Sequence, residues 1–276
     1  MKHQNLLLRI ATSLVAAPVL LGVLLLAPPV AWYAVVAAAV AVAGAEFFAM
    51  THPDDRTARV IGVLSCLAAS ATTYFYGGDA RALLTLMLGV TAVGLMVPLW
   101  RLGEIRTAPQ RMLAGVAGPL YVGVAPTTLA LLRRDHPSDG AGYVILALLL
   151  AWLADTGAYF CGKHLGKTKL YPAVSPKKTR VGLVGGVLGA TAGALLASWW
   201  FLPVLPWWHA VLLGIAGGVL GQLGDLTESL LKRATGIKDS GQLLPGHGGI
   251  LDRIDALLVV GPLVYLYAVW WVEKAS

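Results

Sequence analysis

Charged residues are scarce in this sequence. Asp, Glu, Lys and Arg make up 13% of the 276 residues, whereas hydrophobic residues make up 57%. A water-soluble domain of this length needs far more polar surface, so the composition excludes an ordinary soluble protein. The sequence also lacks an internal repeat, a low-complexity tract and a long linker. These absences predict one membrane domain.

Cysteine is nearly absent as well. The chain has two cysteines, Cys66 and Cys161. They form none of the spacings that are typical of cysteine-bound metal sites. The topology predicted below places them on opposite faces of the membrane, so we expect no disulfide between them.

Apolar residues occur in runs of about 20, the length that a helix needs to cross a hydrocarbon core of ~30 Å. Nine runs can be drawn, at roughly 10–27, 30–50, 58–76, 81–100, 112–132, 141–160, 183–201, 207–231 and 254–272. The first run resembles a signal peptide, but a second run follows Pro29 without a small-residue cleavage site, so we interpret it as a retained anchor. The predicted fold class is all-α, a polytopic transmembrane bundle of about nine spans.

The distribution of Lys and Arg orients the bundle, because these residues concentrate in cytoplasmic loops. Nine spans place 17 of the 21 Lys and Arg residues on the side of the N-terminus and 4 on the other side. This split predicts an N-in, C-out topology. In most loops, membrane topology and attraction to anionic lipid headgroups are enough to explain the basic residues. The two longest, 161–182 and 232–253, fit a site for an anionic, phosphorylated substrate.

Ionisable side chains gather where the eighth predicted helix ends and the ninth begins. Asp225, Ser229 and Lys232 recur on one helical face. Asp225 also lies inside an apolar run, where a carboxylate is costly and usually functional. Asp252 and Asp255 open the ninth helix. Carboxylates from two helix ends can share a divalent cation, and oxygen ligands with open positions suit Mg²⁺.

Basic residues adjoin these carboxylates. Lys232 and Arg233 can hold phosphate charge that a metal does not neutralise, so the cluster suits phosphoryl or nucleotidyl transfer. The alternative is that Asp225 and Asp252 form plain salt bridges with Lys232, Arg233 or Arg253. The glycines between the two helices, from Gly241 to Gly249, allow close backbone approach to a ligand.

A longer pattern runs through the same region. It reads Ser229-x-Leu231-Lys232-Arg233, Lys238-Asp239-x-Gly241, and Leu244-Pro245-x-His247-Gly248-Gly249-Ile250-x-Asp252-Arg253-Ile254-Asp255. This pattern resembles the signature of the phosphatidate cytidylyltransferases, also called CDP-diacylglycerol synthases. The resemblance implies a metal site at Asp225, Asp252 and Asp255. It implies catalytic or phosphate-binding roles for Ser229, Lys232, Arg233, Lys238, His247 and Arg253.

A second block is similar to a cytosolic loop of the same family. It comprises 155–160 and the segment 166–179, which contains Ser175, Lys177 and Lys178. The resemblance implies that these three residues bind substrate. Val181 stands where the family commonly has Glu or Gln, which removes a polar group and leaves the basic pair. We therefore divide the chain into N-terminal transmembrane helices, 1–110, and a catalytic transmembrane region, 111–276, within one membrane unit.

The resemblance implies transfer of CMP from CTP to phosphatidate, giving CDP-diacylglycerol and pyrophosphate. The expected cofactor is Mg²⁺, with a second cation left open. The expected partners are CTP, phosphatidate and membrane lipids, without nucleic acid, and a homo-oligomer is left open. We expect an integral protein of the bacterial inner membrane whose active site faces the cytosol.

Three other functions are alternatives for such a sequence. A cation transporter would use Asp155 and Asp225 as a path, but it would need neither the segment around His247 nor the lysines. A phosphotransferase that consumes CDP-diacylglycerol requires an Asp-Gly-x₂-Ala-Arg pattern, which the sequence lacks. A kinase of polyisoprenoid lipids stays open. His247 is interpreted as a phosphate-binding or structural residue, with a general base as the alternative, and Glu46 as a snorkelling or helix-end residue.

Overall fold

The computed structural model describes residues 17–241 and 248–272. Within these ranges the chain forms eleven α-helices and one short hairpin. The helices are α1 (Ala17–Leu26), α2 (Pro29–Thr51), α3 (Arg56–Tyr76), α4 (Ala80–Trp100), α5 (Ala108–Gly118), α6 (Ala125–Asp135), α7 (Gly140–Leu165), α8 (Arg180–Trp200), α9 (Trp207–Ala234), α10 (Leu251–Ile254) and α11 (Leu257–Tyr267). A π-helical turn, Pro119–Val124, joins α5 to α6, and another, Ala268–Val272, follows α11.

Seven helical stretches among the described residues are long and apolar enough to cross a membrane. They are α2, α3, α4, the stretch Ile105–Asp135, α7, α8 and α9. Two shorter apolar helices, Ala17–Leu26 and Leu257–Trp271, fall within the first and last predicted runs. The all-α polytopic bundle is confirmed, whereas the count of nine spans and the N-in, C-out orientation stay predictions.

Side-chain caps fix where several helices begin, because the first turn of a helix has backbone N–H groups without helical partners. Asp55 accepts a hydrogen bond from the N–H of Ala58 at 3.0 Å and starts α3. Thr179 accepts one from the N–H of Gly182 at 3.1 Å and starts α8. Both caps lie at the polar ends of apolar runs, so local sequence decides these boundaries.

The described chain divides into two compact units. The first comprises residues up to Leu131 together with Asp239–Arg253. Its helices approach closely at small residues: a Cβ on Gly94 would lie 2.6 Å from the backbone of Gly115. Small residues allow such contact where lipid provides no hydrophobic driving force. The segment 239–253, which the sequence analysis grouped with the catalytic region, thus packs with the N-terminal helices.

The second unit comprises Leu132–Lys238 and the residues from Ile254 onward. Its core is the packing of α8 between α7 and α9. Glycines on α8 make this possible, since a Cβ on Gly185 would clash with Cys161 of α7. A Cβ on Gly218 of α9 would lie 2.7 Å from the Cα of Val187 on α8. These close helix contacts form a rigid base for the ionisable residues of α9.

A hairpin joins α7 to α8 in the second unit, within the predicted loop 161–182. Strand β1, Lys169–Tyr171, pairs antiparallel with β2, Ser175–Thr179. Along β2, Pro176 and Lys177 are exposed, whereas Lys178 is partly buried and Thr179 is buried. The two lysines, predicted to act as a basic pair, therefore differ in their exposure.

Candidate active site

The candidate site of the second unit is built around Asp225, about two and a half turns before the end of α9. The Lys178 ammonium lies 2.6 Å from Asp225 Oδ2. Ser229 Oγ donates to Asp225 Oδ1 at 3.3 Å. The hairpin thus carries a cation from a different part of the sequence to the carboxylate of α9. The salt bridge of Asp225 is with Lys178 rather than with the neighbours along its own helix that the sequence alternative named.

Lys178 also donates to the backbone carbonyl of Gln222 at 3.3 Å. Its side chain is 19% exposed and that of Asp225 is 31% exposed. Both charges therefore remain within reach of water and of a ligand. Ser175, the first residue of β2, is half-buried and pairs with Tyr171 across the hairpin.

Asp255 is the second carboxylate of this unit and lies between α10 and α11. Its Oδ1 accepts a hydrogen bond from the N–H of Ala256 at 2.7 Å. A Cβ on Gly224 would lie 2.9 Å from the Asp255 carbonyl oxygen, so α9 passes very close to this point. Asp255 is half-buried, on the segment that packs against α9.

This donor set fits a hard divalent cation in its chemistry. Clustered carboxylate oxygens suit Mg²⁺, and Asp225 and Asp255 supply such oxygens from two neighbouring segments of the second unit. No group of three or more His, Cys, Asp or Glu side chains within residues 17–241 and 248–272 is arranged to hold a metal ion. The magnesium site therefore stays a prediction.

Lys232 and Arg233, at the end of α9, have different surroundings. Lys232 Nζ lies 2.7 Å from Glu228 Oε2, and the Glu228 side chain has no exposed surface. Arg233 is exposed, and its Nη1 donates to the Ile237 carbonyl at 3.3 Å. Its Nε also lies 3.5 Å from the carbonyl oxygen of Val174, at the turn of the hairpin. Arg233 thus links α9 to the hairpin that carries Lys178.

Asp252 belongs to the first unit, where its carboxylate organises the backbone around it. Asp252 Oδ2 accepts hydrogen bonds from the N–H of Ser240 at 3.0 Å and from the N–H of Gly249 at 2.9 Å. Gly248 adopts φ of +78°, a conformation that favours glycine. A Cβ at that position would also lie 2.9 Å from Asp252 Oδ2.

Three other predicted substrate-binding residues are Lys238, His247 and Arg253. Lys238 and Arg253 are exposed. His247 lies outside the described residues, as do Leu244 and Pro245 of the signature. Their roles stay predictions that rest on the resemblance.

Glu46 lies near the end of α2, as the helix-end interpretation has it. The residue is 8% exposed, so the snorkelling interpretation is wrong. Its Oε1 accepts from the N–H of Ile250 at 3.0 Å. Its Oε2 accepts from the N–H of Leu251 at 2.8 Å and from Ser240 Oγ at 3.1 Å. The signal was available, because a carboxylate within an apolar run is costly wherever it stands.

Comparison with known proteins gives one consistent result. The sequence profile of the cytidylyltransferase family matches residues 7–271. A phosphatidate cytidylyltransferase of Brucella suis biovar 1 (strain 1330) is 40% identical over 197 residues, which cover 71% of this chain and 69% of that protein. The enzyme of that name from Synechocystis is 42% identical over 193 residues, covering 67% and 61%. That of Staphylococcus haemolyticus is 45% identical over 144 residues, covering 52% and 54%.

Proposed function

The chain belongs to the cytidylyltransferase family, and we propose that it transfers CMP from CTP to phosphatidate, giving CDP-diacylglycerol and pyrophosphate. Relatives that are 40–45% identical carry the name phosphatidate cytidylyltransferase. The observation that carries the proposal in this chain is the meeting of the Lys178 ammonium with the Asp225 carboxylate, 2.6 Å apart, on a helix that passes close to Asp255. A basic side chain can bind anionic phosphates and carboxylates can bind a metal cation, and this cluster contains both.

In the proposed reaction a phosphate oxygen of phosphatidate attacks the α-phosphorus of CTP. A new phosphorus–oxygen bond forms as the bond from the α-phosphorus to the bridging oxygen breaks, and pyrophosphate leaves with that electron pair. A phosphate monoester dianion carries no proton on the attacking oxygen, so the chain needs no strong base. Positioning and charge stabilisation are what it must supply.

We propose that Asp225 and Asp255 hold Mg²⁺, which when bound would neutralise phosphate charge and make the α-phosphorus more electrophilic. Asp252 stays a predicted ligand on the strength of the sequence alone. Lys178 would bind an anionic oxygen of the nucleotide, since its ammonium already lies among the carboxylates. Arg233 would orient a phosphate and keep the hairpin turn beside α9, where its Nε lies 3.5 Å from Val174 O.

We further propose that the protein lies in the bacterial plasma membrane with this site facing the cytosol, where CTP is available. The concentration of 17 of 21 Lys and Arg residues on one side supports this orientation. Reporter fusions should place residue 170 in the cytosol and residue 276 outside. A cytosolic C-terminus would contradict the nine-span arrangement.

One assay tests the activity. Purified protein is incubated with phosphatidate, Mg²⁺ and each of the four ribonucleoside triphosphates, and lipids are separated by chromatography. We expect a CDP-diacylglycerol product with CTP alone, and none from an Asp225→Asn variant. A cation transporter would form no lipid product with any nucleotide. A polyisoprenoid kinase would transfer the γ-phosphate to an added polyisoprenol and leave phosphatidate unchanged.

A further inference from the structure

A carboxylate of the second described helix holds the backbone that leads into Asp252. Three hydrogen bonds run from the segment around Asp252 to Glu46: from the Ser240 hydroxyl, the Ile250 N–H and the Leu251 N–H. All four residues belong to the first unit. The bonds join positions that lie far apart along the chain, so they tie an N-terminal helix to the signature region.

We propose that Glu46 is a positioning residue for the transfer reaction, which fixes the backbone of residues 249–251 and through it the orientation of the Asp252 carboxylate. The inference rests on the proposed function, in which Asp252 takes part. It assigns to α2 a task beyond anchoring the chain in the membrane.

The burial of the Glu46 carboxylate depends on these hydrogen bonds. Glu46 is 8% exposed, and its charge is met by two backbone N–H groups and one hydroxyl at 2.8–3.1 Å. Burying a carboxylate costs several kilocalories per mole unless such donors compensate. Hydrogen bonds to an ionised acceptor are shorter and stronger than neutral ones. The donors must therefore hold their positions for Glu46 to stay buried, which makes the segment rigid.

Two glycines of the signature pack directly against Glu46. A Cβ on Gly241 would clash with Glu46 Oε1, and a Cβ on Gly249 would clash with both Glu46 Oε2 and Ser240 Oγ. The glycine-rich segment was expected to allow close approach of a ligand. At these two positions the group that approaches closely is the protein's own carboxylate.

The segment that binds Glu46 also binds Asp252. Ser240 binds Glu46 through its hydroxyl and Asp252 through its backbone N–H at 3.0 Å. Gly249, packed against Glu46, donates its N–H to the same Asp252 oxygen at 2.9 Å. Leu251 precedes Asp252 directly and donates to Glu46. Loss of the Glu46 acceptors would therefore release the backbone on both sides of the Asp252 carboxylate.

The central test compares Glu46→Gln with Glu104→Gln, an exposed glutamate of the same unit. Gln at position 46 keeps the volume but lacks the second acceptor oxygen. A misplacement of ~1 Å at a reacting group can cost about 100-fold in rate. We expect Glu46→Gln to lower kcat about 10- to 100-fold with the KM for CTP within about twofold of wild type. Glu104→Gln should leave both values unchanged. A wild-type kcat in Glu46→Gln would overturn the proposal.

A double variant separates positioning from a general structural role. If Glu46 acts through Asp252, adding Glu46→Gln to Asp252→Asn should lower the residual rate by less than about twofold, because the same effect is already lost. Multiplication of the two single losses would overturn the proposal. Wild-type protein in the same assay reports on the proposed function itself, so failure of that function would show as absence of product without any variant.

Hydrogen exchange gives a readout that needs no activity. In detergent-solubilised protein, Glu46→Gln should make the peptide covering residues 248–253 exchange at least about tenfold faster, with peptides of α7 unchanged. Unchanged exchange in 248–253 would contradict the inference. If Glu46→Gln does not purify in folded form, Ser240→Ala removes one of the three bonds and keeps the carboxylate. We expect partial losses there in both kcat and protection, and wild-type values in both would overturn the proposal.

Discussion

Lys178 offers the sharpest quantitative test of the site, because it pairs with a carboxylate that we propose as a metal ligand. Its ammonium lies 2.6 Å from Asp225 Oδ2. A cation that binds Asp225 must compete with this charge. Replacing Lys178 by Gln therefore has two opposite effects. It should strengthen Mg²⁺ binding, and it should weaken binding of CTP through the lost phosphate contact.

The size of the first effect can be worked out from the geometry. Two unit charges at ~4 Å interact by about 4 kcal/mol at an effective dielectric constant of 20. The side chains of Lys178 and Asp225 are 19% and 31% exposed, so screening by water reduces this value. Measured exposed pairs contribute up to about 1 kcal/mol. An intermediate value of about 1–2 kcal/mol corresponds to roughly 5- to 30-fold in Mg²⁺ affinity.

The assay is a Mg²⁺ titration of initial rates at saturating CTP and phosphatidate, followed by a CTP titration at saturating Mg²⁺. We expect Lys178→Gln to lower the Mg²⁺ concentration for half-maximal rate roughly 5- to 30-fold and to raise the KM for CTP. Lys177→Gln is the matched control, because Lys177 is adjacent, has the same charge and is exposed. Equal Mg²⁺ dependence in the two variants, or a raised Mg²⁺ requirement in Lys178→Gln, would refute the reasoning.

Substitutions at Asp225, Arg233 and Gly249 test three other parts of the structure. Asp225→Asn should lower turnover at least about 1,000-fold while the protein still inserts and purifies, since charge is lost at constant volume. Chelation by EDTA should reproduce this loss in the wild-type protein, and added Mg²⁺ should reverse it. Wild-type rates in the variant would exclude the carboxylate as a ligand. Arg233→Ala should lower kcat about tenfold or more because charge at the transferring phosphate is lost, and steady-state kinetics that show a change in KM alone would contradict this role. Gly249→Ala should lower the thermal midpoint and the activity because the new Cβ clashes with Glu46. The control Gly89→Ala should lower neither, because a Cβ there meets nothing within 4 Å. Equal thermal midpoints in the two variants would contradict the close packing of Gly249 against Glu46.

The helices themselves could be predicted from the sequence because their cause is local. A run of about 20 apolar residues must satisfy its backbone hydrogen bonds internally in lipid, and a helix does this within one segment. Caps such as Asp55 and Thr179 are equally local, since acceptor and donor lie three residues apart. The importance of Asp225 could also be read from the sequence, because a carboxylate within an apolar run demands a partner or a function.

The sequence by itself determined the all-α membrane architecture, the family, and which residue types gather around Asp225. Only the tertiary structure decided which partners these residues take. The short hairpin places Lys178 beside Asp225 and leaves Lys177 exposed. Packing in the first unit brings Glu46 to Ser240, 194 residues away in the chain. Such contacts depend on how distant segments fold together, and no local pattern of apolar or charged residues specifies them.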